Sequence, residues 1–276
     1  MSGNARSNKP LGVSMRELLH LDRYPIDRPD APETIRLAER CRADLAAQGM
    51  FNLNGFVRAE AIERAVSEVE PLMESASFRH ARRHNVYFKK HIPGLAADHP
   101  ALKLFETVNY TLCGDQLVRT VVDRIYEWPP LADFLACTMG KPRLFAMSDP
   151  LARVNVLAYR PGEALNWHFD RSQYTTTLLI RGAESGGVFE YRSGLRSDTE
   201  PNYDGVARML RGEDTQVSVN SLAAGTLNVF AGRNTAHRVT PVLGEKSRLV
   251  AVLSYYDKPG VTFSSEERIG FYGRAG

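Results

Sequence analysis

Asn166-Trp167-His168-Phe169-Asp170-Arg171 sets a histidine and an aspartate one residue apart, between a tryptophan and an arginine. In an extended strand side chains alternate, so His168 and Asp170 share one face while Phe169 takes the other. One imidazole nitrogen and one carboxylate oxygen are thereby delivered to a single place. A polar-faced strand with a satisfied histidine has the same pattern, so the surrounding chain must decide.

Working outward, residues 143–256 are dominated by short β-patterned runs, at 153–159, 174–180, 187–191, 216–219, 226–230, 237–242 and 248–256. Glycine-containing turns separate several of them, notably 182–187 and 243–245. Many short strands with turn signals predict a sandwich or barrel. The polar stretch 193–215 reads as an excursion over it. The preceding half is different. Residues 32–48 carry an apolar stripe at helical spacing (Ile35, Leu37, Ala38, Cys41, Leu45), closed by Gly49. Residues 50–57 alternate as a strand, 59–75 read as a second helix, 83–90 as a strand or hairpin arm, and 100–140 as mostly helical. The expectation is an α+β protein. Residues 1–12 form a flexible tail and 13–276 a single domain, with helical support over about 30–142 and a β core over about 143–257.

Composition narrows the function classes. At 276 residues, 43% hydrophobic and 24% charged, the chain is an ordinary globular protein able to bury a substantial core. A net charge of +3 with scattered basic residues gives no nucleic-acid footprint. The longest apolar runs are strand-sized, short of the roughly 20 residues that cross a bilayer, so no membrane partner is expected. The N-terminus lacks the apolar segment of a signal peptide, which implies a cytoplasmic protein. Cys41, Cys113 and Cys137 are odd in number and widely spaced, so they read as buried thiols rather than disulfides or a zinc site.

Two ligands do not hold a catalytic metal. The β-rich half contains one other histidine, His237, in a polar stretch at the start of a strand. Two histidines and a carboxylate make the facial triad of non-haem iron(II) oxygenases, which leaves adjacent coordination positions open. Arg248 follows in Ser247-Arg248-Leu249-Val250-Ala251-Val252-Leu253-Ser254. By alternation it shares a face with Val250, Val252 and Ser254, and a cation there is costly to bury without an anionic partner. A dicarboxylate that chelates iron at one end and meets the guanidinium at the other would supply that partner. A surface arginine at a strand start fits the same sequence.

Together, His168-x-Asp170, His237 and Arg248 on β-patterned strands resemble the HxD…H…R signature of Fe(II)/2-oxoglutarate-dependent oxygenases, over roughly residues 144–256. The resemblance implies a double-stranded β-helix (jelly-roll, cupin-like) core. It also implies Fe(II) on His168, Asp170 and His237, 2-oxoglutarate as cosubstrate with its far carboxylate on Arg248, and O2 as oxidant. More narrowly, GMFNLNGF, RHNVYF, WPPLADFL, WHFD and GGVFEY look like the small-molecule branch that holds free-amino-acid hydroxylases and radical amino-acid halogenases. Halogenases of that kind carry Gly or Ala in place of the metal-binding carboxylate. Asp170 is retained, so the resemblance implies hydroxylation of a free amino acid or a derivative. Arg171 departs from lysine-acting members, where an acidic residue is expected nearby.

The same resemblance carries Tyr159 over as a hydrogen-bond donor to 2-oxoglutarate, although a core tyrosine reads alike. Thr177, with Thr175 on its face, either touches the cosubstrate or simply favours a strand. Arg83 and Asn85, with His84, either reach over the barrel mouth to a substrate carboxylate or form a solvated strand. Trp167 either packs or walls the substrate pocket. His20, His80, His91 and His99 lack metal spacing and receive no role. A desaturase or epimerase with the same iron centre, and a non-catalytic barrel that binds a small acid, are the rival readings.

Overall fold

The computed structural model describes residues 13–276, so the expected tail at 1–12 lies outside the described residues. The β-patterned half, joined by three strands from the preceding half, forms two main antiparallel sheets that enclose a cavity. The larger has seven strands in the order Met50–Leu53, Leu227–Phe230, Thr175–Arg181, Arg248–Leu253, Val154–Tyr159, Phe105–Leu112 and Phe78–His84. The smaller has four, in the order Ser218–Asn220, Phe189–Arg192, Ala236–Val239 and Leu165–His168. Sequential neighbours are mostly not paired, which is the winding of a double-stranded β-helix. The class is α+β.

Strand parity divides the large sheet into a dry face and a site face. Leu249, Ala251 and Leu253 join Leu178, Ile180, Leu227 and Val229 in the main apolar cluster. The intervening Arg248, Val250, Val252 and Ser254 line a cavity between the sheets, with Thr175 and Thr177. Two helices cover the dry face. Pro32–Gln48 starts with proline at its first turn and ends at Gly49, whose φ of 74° closes the left-handed cap. Ala59–Ala76 presents Ala61, Ile62, Ala65, Val69 and Met73. Among the described residues no helix is long and apolar enough to cross a membrane.

Four expectations need correction. Residues 105–112 are a strand within the region read as mostly helical. Thr107, Asn109 and Thr111 alternate there with Val108 and Tyr110, and this period of two suits a half-buried sheet. The strand expected at 83–90 is Phe78–His84, because the chain turns at Asn85, whose Oδ1 accepts from the Tyr87 and Lys89 amides. The excursion at 193–215 contains a helix, Tyr203–Leu210, capped by the Asn202 side chain. Cys41 and Cys113 are buried thiols, but Cys137 is exposed.

Beyond the β core, a C-terminal helix at Ser265–Tyr272 packs near the strand Phe78–His84. Its anchor is Asp149, fully buried, which accepts from the amides of Leu151, Ala152 and Phe263 and from Arg268 Nε.

Candidate active site

His168 ends its strand and pairs directly with His237 on the neighbouring strand. Asp170 lies just past the strand end, its amide donating to the Gly232 carbonyl at 3.0 Å. The three side chains converge. Nε2 of His168 is 3.3 Å and Nε2 of His237 3.6 Å from Asp170 Oδ1, and the ligand atoms all lie within 4.8 Å of one another.

The donor set fits a divalent transition metal. Donors about 2.1 Å from an ion and at right angles around it sit roughly 3 Å apart, close to the spacing here. Each imidazole is oriented through its other nitrogen: Nδ1 of His168 meets the Asn166 carbonyl at 2.8 Å, and Nδ1 of His237 the Thr235 carbonyl at 3.0 Å. Both Nε2 atoms are thus left facing the shared point, as in metal centres oriented by outer hydrogen bonds. Thr175 donates to Asp170 Oδ2 at 2.5 Å, leaving Oδ1 for coordination. Gly232 makes room for this arrangement, since a Cβ there would overlap the Asp170 carboxylate.

Electrostatics favour the ligating forms. Burial pushes the Asp170 carboxyl up, but the field of His237 and the His168 hydrogen bond outweigh it and hold it well below the usual carboxylate range. Burial, helped by the neighbouring His168, lowers His237 to about 4, so its imidazole is neutral at neutral pH.

Arg248 is 4% exposed and has no ion pair or side-chain hydrogen bond among the described residues. Burial lowers its pKa, as expected of a cation lacking an anion. Tyr159 is its register partner on the next strand, also buried, and burial pushes the phenol up to about 12, so it stays a donor. Thr177 lies in register between Asn228 and Val252 on the same floor. Asn228 escaped the sequence reading. It is 1% exposed, lines the cavity and leaves both amide atoms without a hydrogen-bond partner.

The structure moves the four substrate candidates out of the cavity. Arg83 is exposed, because strand parity turns Arg82 inward instead. Asn85 is consumed in its own turn, with Nδ2 donating to the Lys89 carbonyl at 2.6 Å. Trp167 takes the face opposite His168 and packs in a second apolar cluster, with the Arg238 guanidinium over its ring. Arg171 points to the surface and pairs with Glu267 at 2.7 Å. His84 is buried behind His168, its Nε2 2.8 Å from Thr107 Oγ1. His80, given no role by its spacing, lines the cavity with Arg82. So do Phe263, Phe271 and Tyr272 from the C-terminal segment. A period of two along Phe78–His84 was the signal for His80 and Arg82, but only once the strand's true start was known.

Residues 34–265 match the model of a family described as Halogenase D. Among solved structures, the chain is similar to the non-haem alpha-ketoglutarate-dependent epimerase SnoN from nogalamycin biosynthesis, at 17% identity and a TM-score of 0.56, covering 81% of this chain and 82% of that one. That epimerase is also known in complex with Fe3+, alpha-ketoglutarate and nogalamycin RO. AviO1 from Streptomyces viridochromogenes aligns at 15% identity and a TM-score of 0.55, covering 81% and 96% of the two chains. A prolyl hydroxylase from Trichoplax adhaerens aligns at 13% and 0.51, covering 84% and 96%. At such identities these likenesses establish a shared fold. No curated protein matches the chain.

Proposed function

The chain belongs to the Halogenase D family, and from that membership and the geometry of its centre we propose that it is an Fe(II)- and 2-oxoglutarate-dependent dioxygenase that hydroxylates rather than halogenates. The substrate is a small amino-acid-like molecule, a free amino acid or a derivative, and residues 13–276 act as one catalytic domain. The observation that carries the reading is Asp170. A carboxylate stands where a halide would coordinate, locked by Thr175 and given space by Gly232.

His168, Asp170 and His237 would hold the iron, and Arg248 with Tyr159 and Thr177 would hold 2-oxoglutarate. When bound, the pair supplies oxygen activation, with 2-oxoglutarate leaving as succinate and CO2 while a C–H bond gains a hydroxyl. The chain's own work is positioning and exclusion of water. A neutral His237 imidazole and an ionised Asp170 keep their donor atoms unprotonated. Arg248 offers a buried guanidinium fork to a carboxylate, which orients the cosubstrate across the floor of the cavity. Tyr159, a neutral phenol, donates beside it.

The test is succinate formation by purified protein supplied with Fe(II), 2-oxoglutarate and O2, with candidate amino acids and derivatives added singly. Stimulated succinate release coupled to a product bearing one new oxygen is expected. Release that no added compound stimulates, from protein that binds both iron and 2-oxoglutarate, would argue for a vestigial centre.

A further inference from the structure

The cavity that carries the metal donors has a second, unclaimed cation. Arg82 sits on the inward face of Phe78–His84, the edge strand of the sheet that carries Arg248 nearer its centre. Its Nε is buried without a hydrogen-bond partner, and the guanidinium enters no ion pair among the described residues. It is nevertheless built in. The Phe88 ring lies 4.3 Å from its central carbon and Phe271 5.7 Å. Phe88 reaches that place because its backbone adopts a φ of 55°, in the turn that Asn85 ties with its side chain. A strained residue in a side-chain-tied turn points to a position that the surroundings over-determine.

Among the described residues the cavity lining contains one carboxylate, Asp170, already engaged by Thr175 and both histidines. Nearby acids are spent elsewhere. Asp149 is fully bonded under the C-terminal helix, Glu267 pairs with Arg171, and Glu106 is exposed on the outer face of its strand. His80 adds no charge, since burial lowers its pKa. Formal charges then decide the substrate. In the loaded site, the divalent iron and Arg248 are balanced by Asp170 and the dianion of 2-oxoglutarate, and Arg82 is left over. A half-buried cation with no anionic partner favours one anion, and a substrate ammonium would find no free carboxylate in the lining.

We propose that Arg82 is the substrate-binding clamp for a single carboxylate, and that the substrate is a small organic acid whose amine is acylated or missing. This rests on the dioxygenase reading for the identity of the other ligands, and it narrows the amino-acid-like class to derivatives without a free ammonium. The cavity of about 300 Å3 suits a small molecule, and Phe263 and Phe271 in its wall suit an apolar or aromatic body.

Three probes share one phenylethyl unit and differ in its charged groups: 3-phenylpropanoate, phenylalanine and 2-phenylethylamine. Each is titrated calorimetrically into the protein loaded with Zn(II), a redox-silent stand-in for iron, and saturated with 2-oxoglutarate. The acid should bind at least tenfold more tightly than the zwitterion, with the amine weakest. Arg82→Gln should weaken the acid at least tenfold and leave 2-oxoglutarate binding unchanged, which also reports that the variant is folded. Tighter binding of phenylalanine than of the acid, binding by none of the three, or an Arg82→Gln protein that binds the acid as well as the native one, overturns the proposal. If 2-oxoglutarate itself does not bind, the cosubstrate reading fails separately. The acid series is then run without it, and Arg82→Gln still decides the clamp.

Discussion

Asp170 is held from three directions: its amide by the Gly232 carbonyl, one carboxylate oxygen by Thr175, and the other beside two imidazoles. Thr175→Val keeps the shape and removes the hydroxyl, so the carboxylate loses its orientation while the donor set stays complete. Metal affinity should fall by about 10- to 100-fold, the usual cost of losing an outer-shell partner, as read by competition with a chelator. Arg248→Leu acts at the other end. It should raise the 2-oxoglutarate requirement by on the order of 2–5 kcal/mol of lost binding, with metal affinity unchanged. An unaltered cosubstrate titration would reject that role. At this scale the sequence was most legible for His168, Asp170, His237 and Arg248, because residue type and strand parity sufficed to bring them to one face. Thr175 was legible only as a face-mate of Thr177. Gly232 and Asn228 were not legible, since their meaning lies in which carboxylate or cavity the closed barrel brings beside them.

An odd-numbered error in an element's start changes which side chains reach the site. Placing the strand at 83–90 rather than Phe78–His84 made Arg83 the candidate, whereas parity from Phe78 turns His80 and Arg82 inward. The period of two was present in the sequence, but the Asn85 turn that ends the strand depends on a local side-chain hydrogen bond and leaves no periodic signal. The C-terminal helix shows the same limit. Its aromatic residues form part of the cavity wall, yet what docks it is the distant Asp149. Asp149→Ala would strand Arg268 and three amides, and should destabilise docking of Ser265–Tyr272 by about 3 kcal/mol, measured as loss of amide-exchange protection in that helix. Burial raises the Asp149 carboxyl, but the Phe263 amide and Arg268 lead the hydrogen bonds that bring it below its ordinary value. A depressed folded pKa means that the stabilisation is fully present above the ordinary carboxylate range, near pH 4, and is lost as pH falls through the lower, folded value. Protection of this helix should therefore be flat from about pH 5 to 8 and decline only in stronger acid.

For the whole molecule, the matching family is described as a halogenase while the site keeps a carboxylate, and the proposed hydroxylation rests on that carboxylate. A halogenating centre needs an open coordination position, a halide that stays there, and a substrate radical steered toward it. In the proposed centre Asp170 fills that position, and the surrounding fold is shaped to the carboxylate: Thr175 donates to it, and Gly232 lacks the side chain that would displace it. The native enzyme should thus hydroxylate even in concentrated chloride. Asp170→Gly opens the position but leaves Thr175 with no acceptor and a pocket built for an anchored anion, not a free one. Loss of metal and activity is expected from that variant rather than a new halogenase, because halide retention and radical steering depend on groups outside the ligand set. The deciding measurement is mass spectrometry of the product that native enzyme forms in chloride buffer under 18O2. A product carrying labelled oxygen fits the carboxylate-filled centre. A chlorinated major product would mean that Asp170 leaves the metal during turnover, and the hydroxylase reading would fall with it.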